Sequence, residues 1–160
     1  MLLTGSQLHG TPIMSLQTGM RLGIAEKPII NPDNLAIVAY EIDGPNLDQH
    51  PSLLLIDDVR ELSKVGMIID SSDEFVGSED IIKLKPLYEL QYTVLHKHVI
   101  DEHHKKVGKV IDYTVDPDNF MIQQLNVKRP LLRSLQEAEL LIHRSQIVEI
   151  NDDQIIIKSA

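Results

Sequence analysis

Hydrophobic and polar positions alternate along several short segments of the chain. Between residues 35 and 42, the even-numbered residues from Ala36 to Ile42 share one side of an extended backbone, and the odd-numbered residues share the other. A period of two is typical of β-strands. The preceding Asn31-Pro32-Asp33-Asn34 favours a turn, because Pro fixes φ and the Asp and Asn side chains bond their own backbone. The pattern predicts a hairpin between strands 23–30 and 35–42.

The chain contains an internal repeat. A shift of 85 positions places Asn31-Pro32-Asp33-Asn34 on Asp116-Pro117-Asp118-Asn119, and Gly23 on Gly108. Apolar positions on both sides of the turn coincide, and after three inserted residues 68–69 coincides with 156–157. The same register puts Leu95 at the place of Gly10 and His104 at that of Gly19. We therefore predict a duplication, with a second hairpin between strands 108–115 and 120–127.

Each copy contains about six short strands by this pattern, including 53–57 and 67–70 in the first copy and 140–143 and 154–158 in the second. Closing each set into a small barrel would remove the exposed edges and bury one face. Between the copies, Ser78 can cap a helix that runs toward Leu90 and that Pro86 would end or kink. The prediction is an all-β chain of two tandem small β-barrels, residues 1–80 and 81–160, with a short helical connector opening the second.

Composition and charge narrow the class of protein. The 160 residues are 42% hydrophobic, which is enough for a packed core, and they include no Cys, which excludes disulfides, thiolate catalysis and Cys-based metal sites. No leader pattern opens the chain and no apolar stretch is long enough to span a bilayer, so we expect a cytoplasmic protein. The formal charge of −9 belongs to residues 1–80, which carry 13 acidic and 4 basic residues, whereas residues 81–160 carry 11 of each.

Several motifs carry a family resemblance. In the first copy they are Leu8-His9-Gly10-Thr11-Pro12-Ile13, Gly19, Leu22-Gly23-Ile24 and Leu55-Ile56-Asp57-Asp58-Val59; in the second they are Val99-Ile100-Asp101, Val107-Gly108-Lys109-Val110 and the tail 142–147. These segments resemble the PRC-barrel domain, a small β-barrel found in the cytoplasmic part of the photosynthetic reaction-centre H subunit. The same domain forms the C-terminus of the ribosome maturation factor that docks on the small subunit. The chain as a whole resembles a tandem PRC-barrel protein.

The resemblance implies a binding module without catalysis, since members of the family act as docking or adaptor domains. We therefore predict a non-enzymatic protein-interaction module that needs no cofactor and binds a protein partner, with self-association into a homo-oligomer left open. The predicted interaction surface lies at the junction of the barrels, where apolar residues exceed the need of one small core. It consists of Leu53, Leu54, Leu55, Pro130, Leu131 and Leu132.

Two clusters of side chains contain groups that could bind a metal ion or catalyse a reaction. His96 and His98 would point the same way on a strand, and Asp101 from the next turn could join them as a weak metal site. The competing interpretation is a polar edge strand that discourages aggregation. A triad of Ser145, His143 and Asp152 or Asp153 can be written down, but a triad is defined by geometry, which a sequence lacks.

The second copy also holds the basic residues that nucleic-acid binding would need. They are Lys105, Lys106, Lys109, Lys128, Arg129, Arg133 and Arg144. On one face they would form a phosphate-binding patch, whereas interleaved acidic residues such as Asp112 and Glu137 favour an ordinary scattered surface. The alternative function is therefore a ribosome-assembly or RNA-associated factor, and the favoured one does not bind nucleic acid directly.

Overall fold

The structure is a computed structural model that describes residues 2–63, 65–130 and 139–159. These residues form two sheets, two short α-helices and 3₁₀ turns at Ile56–Asp58, Ser72–Glu74 and Arg144–Gln146. The helices are α1 (Gly5–Leu8) and α2 (Leu84–Leu90). The strands are β1 (Leu3–Thr4), β2 (Pro12–Ser15), β3 (Arg21–Asn31), β4 (Ala36–Asp43), β5 (Ser52–Leu55), β6 (Glu61–Ser63), β7 (Gly66–Ile69), β8 (His98–Asp101), β9 (Lys106–Val115), β10 (Ile122–Lys128), β11 (Glu139–His143), β12 (Ile147–Ile150) and β13 (Gln154–Ile157).

The two sheets have the same strand order. The first sheet runs β5-β4-β3-β2-β7-β6, and the second runs β11-β10-β9-β8-β13-β12 with β1 added on β9. In both, one pair is parallel, β2 with β7 and β8 with β13, and every other pair is antiparallel. The all-β prediction is confirmed. Among the described residues, the first and last strands of each sheet do not pair with each other, so closure of each sheet into a barrel stays a prediction.

The repeated turn is built in the same way in both halves. The amide of Leu35 donates to the carbonyl of Asn31, and the amide of Phe120 donates to that of Asp116, each over 2.8 Å. The side chains of Asn31 and Asp116 each accept a further backbone amide from within the turn. Leu35 and Phe120 both have a φ of 56°, the left-handed conformation that closes the turn. Both predicted hairpins are therefore present, as β3–β4 and β9–β10.

A β-bulge in each hairpin changes which residues face the core. In the first hairpin Ile29 pairs with Ala39 and Ile30 pairs with Ile37, which leaves Val38 as an extra residue on β4. Because a bulge shifts the alternation by one position, Ile37 faces the main core together with Tyr40, while Ala39 faces the opposite side. The strict alternation predicted for residues 35–42 is thus wrong: Leu35 and Ile37 lie in the main core with Tyr40, and Val38 packs on the opposite side.

The backbone corrects the register of the repeat near its start. The amide of Gly10 donates to Ala25 and that of Ala25 to Thr11, while the amide of His96 donates to Val110 and that of Val110 to Lys97. Gly10 and His96 also share a left-handed φ, of 80° and 71°. His96, not Leu95, therefore takes the place of Gly10. From Gly10 to the end of β2, the two copies are therefore offset by 86 positions. The turn between β8 and β9 is one residue shorter than the turn between β2 and β3, so the offset is 85 from β3 onward.

The segments that precede each repeat pack on the opposite half of the chain. Strand β1 pairs with β9 of the second sheet, and the Oγ of Ser6 in α1 donates to Asp112 over 2.6 Å. In the other direction α2 packs on β3, and Nζ of Lys27 donates to Oε1 of Gln91 over 3.0 Å. The two halves therefore exchange their leading segments.

The connecting helix begins later than predicted. It starts at Leu84 and not near Glu79, and the carboxylate of Asp80 instead accepts the amide of Gly77. A start at Leu84 places Pro86 in the first turn, where a missing N–H costs no intrahelical bond. Leu84 is buried against Ile29, Ala39 and Leu53, so α2 covers the outer face of the first sheet.

One continuous core joins the two halves. Buried residues of both sheets belong to the same cluster, from Leu3 to Ile157. At its centre the amide of Ile37 donates to Phe120 and the amide of Ile122 donates to Leu35, over 3.0 and 2.9 Å. Each residue of one bond is the repeat counterpart of a residue in the other, so the two hairpins meet about a pseudo-two-fold axis. The predicted boundary near residue 80 separates the repeats but does not separate two cores.

Candidate functional site

A groove with basic walls crosses the second sheet between β8, β9 and the end of β10. Its volume is about 630 Å³, and we call it the basic groove. Its apolar wall includes Val99, Ile100 and the partly exposed Ile111. Its remaining lining consists of His98, Lys106, Gly108, Lys109, Lys128, Arg129, Pro130 and Gln154. The described lining therefore combines four cationic side chains with an apolar strip and no acidic side chain.

Local backbone geometry brings these cations together. Lys109 and Lys128 lie directly opposite each other on the antiparallel strands β9 and β10. Gly108 lets the strands approach closely, because a Cβ there would overlap the carbonyl oxygen of Lys128 and lie 2.7 Å from the Val127 side chain. Arg129 and Pro130 follow directly after β10 and form the end of the groove. The positive charge is therefore concentrated at the end of one hairpin.

The first sheet provides an internal comparison. At the positions that correspond to Lys109 and Lys128 it has Ile24 and Asp43, which pair in the same way. The counterpart of Arg129 is Gly44, and only Arg21, the counterpart of Lys106, keeps a positive charge. Two repeats with the same strand order therefore differ in charge at this place, so the fold itself does not require the four cations.

The groove suits a partner with negative charge and some apolar surface. Lysine and arginine side chains at a surface attract anions over roughly 10 Å at ordinary salt. The apolar strip adds burial that a purely ionic contact would lack. Carboxylates of an acidic protein segment and phosphates of a nucleic acid are the two chemistries that fit.

The predicted interaction surface is only partly accessible. Leu53 and Leu54 are both fully buried, with 0% exposure, and Leu55 packs against the cluster that includes α2. Leu53 and Leu54 are core residues in this structure, because α2 and the main core cover the two faces of β5, and Leu55 is half-buried. Pro130 is exposed and lines the basic groove. Leu131 and Leu132 lie outside the described residues.

The structure separates the predicted metal ligands. His98 is on β8 and exposed, whereas His96 precedes the strand in a left-handed turn, so the two do not share one strand as predicted. Asp101 closes the next turn, where its Oδ1 accepts the amides of His103 and Lys105 over 2.8 and 3.0 Å. These bonds, above all the one from Lys105, hold the pKa of the Asp101 carboxyl below its ordinary value. Within residues 2–63, 65–130 and 139–159 no three His, Asp or Glu side chains cluster as metal ligands would.

The other basic residues have separate places. Arg144 donates to the carbonyls of Ile122 and Asn34, over 2.9 and 2.7 Å, and so ties the second half to the first hairpin. Lys105 lies in the turn that Asp101 closes. Arg133 lies outside the described residues. Four of the seven predicted cations thus border one groove, and the short run Lys128-Arg129-Pro130 is the sequence signal that indicates it.

His143 and Ser145 come together, but as a helix cap. The Nδ1 of His143 accepts the amide of Ser145 over 3.1 Å and lies 2.9 Å from its Oγ. The side chain of Gln146 completes the capping arrangement by accepting the His143 amide. The backbone amide of Asp153 donates to Asn151 in the next turn, and among the described residues no aspartate accepts a hydrogen bond from His143. The contact accounts for a local turn and supplies no triad.

No protein-family model matches the chain, and no curated protein sequence matches it significantly. Within the described part of the chain, no helix has the length and apolarity required to cross a membrane.

Proposed function

We propose that the chain is a non-enzymatic adaptor that binds an acidic segment of a partner protein in the basic groove. The observation that carries the proposal is the convergence of Lys106, Lys109, Lys128 and Arg129 around an apolar strip, on a chain whose formal charge is −9. A strongly acidic chain repels acidic partners except where positive charge is concentrated. The basic groove is therefore the place where such a partner gains both charge complementarity and apolar burial.

We also propose that the chain is a tandem PRC-barrel protein that works in the cytoplasm. Two features support the family: the motifs that resemble it, and a strand order that repeats in both halves. In this proposal each sheet curves into a small barrel and each repeat is one PRC-like unit, residues 1–80 and 81–160. The absence of Cys from the sequence supports the location, because no part of the fold needs an oxidising compartment.

A direct binding experiment tests the adaptor proposal. The probe is a fluorescent peptide in which Glu and Leu alternate over eight residues, titrated with the purified chain and followed by anisotropy. We expect saturable binding that weakens as salt rises. Lys109→Glu and Arg129→Glu should each weaken it at least about tenfold, because each replaces an attraction with a repulsion. Lys83→Glu is the matched control: it makes the same charge change at an exposed position outside the groove and should leave the affinity within about twofold.

The outcomes separate the adaptor from its alternatives. Equal losses in Lys83→Glu and Lys109→Glu would show a non-specific charge effect and overturn the proposal. Self-association of the chain that Arg129→Glu abolishes, with no peptide binding, would instead indicate an acidic face of a second copy as the occupant.

A ribosome-assembly or RNA-associated factor is the second candidate, favoured by the same four convergent cations. Its probe is a labelled ten-residue oligouridylate in the same titration. Binding of the oligouridylate with a steep salt dependence, and no binding of the peptide, would move the assignment to this candidate. Sedimentation with the small ribosomal subunit would then be the next measurement.

A further inference from the structure

A second cavity lies between the two halves, next to α1. Its volume is about 610 Å³. Its walls come from β3, from the start of the chain around Gly5 and His9, and from residues 91–95. Residues 91–95 are the repeat counterparts of residues 5–9, so both exchanged leading segments border the cavity. We call it the inter-half cavity.

The pseudo-symmetry explains why there is space here. On one side of the axis the ring of Tyr113 rests on Gly5, where a side chain would overlap it. Their repeat counterparts are Pro28 and Gln91, and all four of these residues line the inter-half cavity. Pro28 pairs with Tyr40 just as Tyr113 pairs with Leu125. A proline thus stands where the other half has a large ring, and it fills less of the space between the halves.

The walls contain hydrogen-bonding groups that the described part of the chain does not use. Tyr40 and Tyr92 both line the cavity, and their hydroxyl groups are buried without a hydrogen-bond partner among the described residues. Tyr40 is only 1% exposed. Buried polar groups are nearly always hydrogen-bonded, so two unpaired hydroxyls beside one cavity indicate a missing hydrogen-bond partner. Burial raises the pKa of Tyr40 and raises that of Tyr92 to about 12, so both phenols are neutral donors at ordinary pH.

We propose that the inter-half cavity binds a small, uncharged, largely apolar molecule that carries a hydrogen-bond acceptor such as a carbonyl oxygen. The volume is within the range of small-molecule sites, which is about 300–1,000 Å³. Ile29, Ile30 and Val94 supply buried apolar wall. The acceptor would take the hydrogen bond that the Tyr40 or Tyr92 hydroxyl can donate. This site is separate from the basic groove and does not depend on the adaptor proposal.

The test compares two probes of similar size, acetophenone and ethylbenzene, of which only acetophenone has an acceptor. Each is titrated into the ¹⁵N-labelled chain, and backbone amide shifts are followed by NMR. We expect saturable shifts at Gln91, Thr93 and Leu95, with acetophenone at least about fivefold tighter than ethylbenzene. The double variant Tyr40→Phe/Tyr92→Phe should bring the two affinities within about twofold, because it removes both hydroxyls and keeps the rings. Tyr88→Phe, which removes a hydroxyl from α2 outside the cavity lining, should change neither.

Two further variants test the place of binding. Pro28→Tyr rebuilds the arrangement of Tyr113 on the other side of the axis and should abolish binding of both probes. Thr93→Trp blocks the cavity from an exposed rim position and keeps the test valid if Pro28→Tyr does not fold. The proposal is overturned if acetophenone gives no saturable shifts in the wild-type chain, if shifts persist in folded Thr93→Trp, or if ethylbenzene binds as tightly as acetophenone.

Discussion

The ring of Tyr113, on β9, lies against Gly5, which opens α1 at the other end of the sequence. A Cβ at Gly5 would lie 2.6 Å from Cε1 of the ring. Tyr113 is 3% exposed. The contact fastens the start of the chain to the second sheet, beside the bonds from Ser6 to Asp112.

Gly5→Ala should therefore destabilise the chain, even though alanine is the better helix former. We expect the free energy of unfolding to fall by about 1–3 kcal/mol, the usual cost of forcing extra atoms into a packed contact. Urea denaturation followed by circular dichroism measures it. In a Tyr113→Leu background the same substitution should cost clearly less, because the ring is gone. Equal costs in both backgrounds would mean that the Gly5–Tyr113 contact is not the cause.

Gly23 and Gly10 should respond very differently to substitution. A Cβ at Gly23 would overlap the carbonyl oxygen of Asp43 on the neighbouring strand, whereas a Cβ at Gly10 meets nothing within 4 Å. Gly23→Ala should cost about 2–4 kcal/mol, because the backbone of β4 would have to shift. Gly10→Asn should cost less than about 1 kcal/mol, since asparagine accepts a left-handed backbone and His96 already adopts it at the equivalent position. Urea denaturation of the two variants measures both changes, and similar losses in the free energy of unfolding would contradict the steric explanation.

The first repeat should not fold without the segment that follows it. Residues 1–80 lack α2, so Ile29, Ala39 and Leu53 would lose the cover that Leu84 provides. They also lack β9, on which β1 and α1 pack. We expect an isolated 1–80 chain to give the narrow amide dispersion of an unfolded polypeptide in NMR. The full chain should unfold in one cooperative step. Native-like dispersion in the 1–80 chain would show instead that the repeats are independent domains.

The four tyrosines should titrate above the ordinary pKa of a tyrosine. Burial is the main cause that raises the pKa of Tyr40, Tyr88, Tyr92 and Tyr113 above 10. The unfolded chain releases these protons near pH 10, while the folded chain keeps them, so stability is fully present below pH 10 and is lost as pH rises beyond it. The chain has no Trp, so absorbance at 295 nm reports phenolate directly. A phenolate step at pH 10 in a chain that circular dichroism shows to be folded would contradict this expectation.

The local parts of the fold could be predicted from the sequence. Asn31-Pro32-Asp33-Asn34 and its repeat at 116–119 define the two hairpins, because their turn chemistry lies within a few residues. The sequence does not predict β1, β2, β6 and β12, because each has only two to four residues and, unlike the equally short β5, β7 and β13, contains no run of three apolar residues. The register error between Leu95 and Gly10 has a similar origin: a one-residue deletion inside a turn leaves no mark in a comparison of residue types.

The candidate site could be predicted only in part. Lys128, Arg129 and Pro130 were recognised as basic or apolar surface residues, and they border the basic groove. The sequence predicts Leu53 and Leu54 as part of an interaction surface, because apolar residues there exceed the need of one small core. In the structure the main core covers Leu54, and α2 covers Leu53 through Leu84, further along the chain. No local pattern records which face of a strand a distant helix will cover.

The sequence by itself determined the duplication, the two hairpin turns, the β class and the asymmetry of charge, because each depends on neighbouring residues or on composition. Only the tertiary structure decided the exchange of leading segments, the single shared core, the convergence of four cations and the space left beside Pro28. These features depend on contacts such as Ile37 with Phe120 and Gly5 with Tyr113, whose partners lie more than 80 positions apart. These features depend on packing between distant residues, which local patterns of residues along the chain do not show.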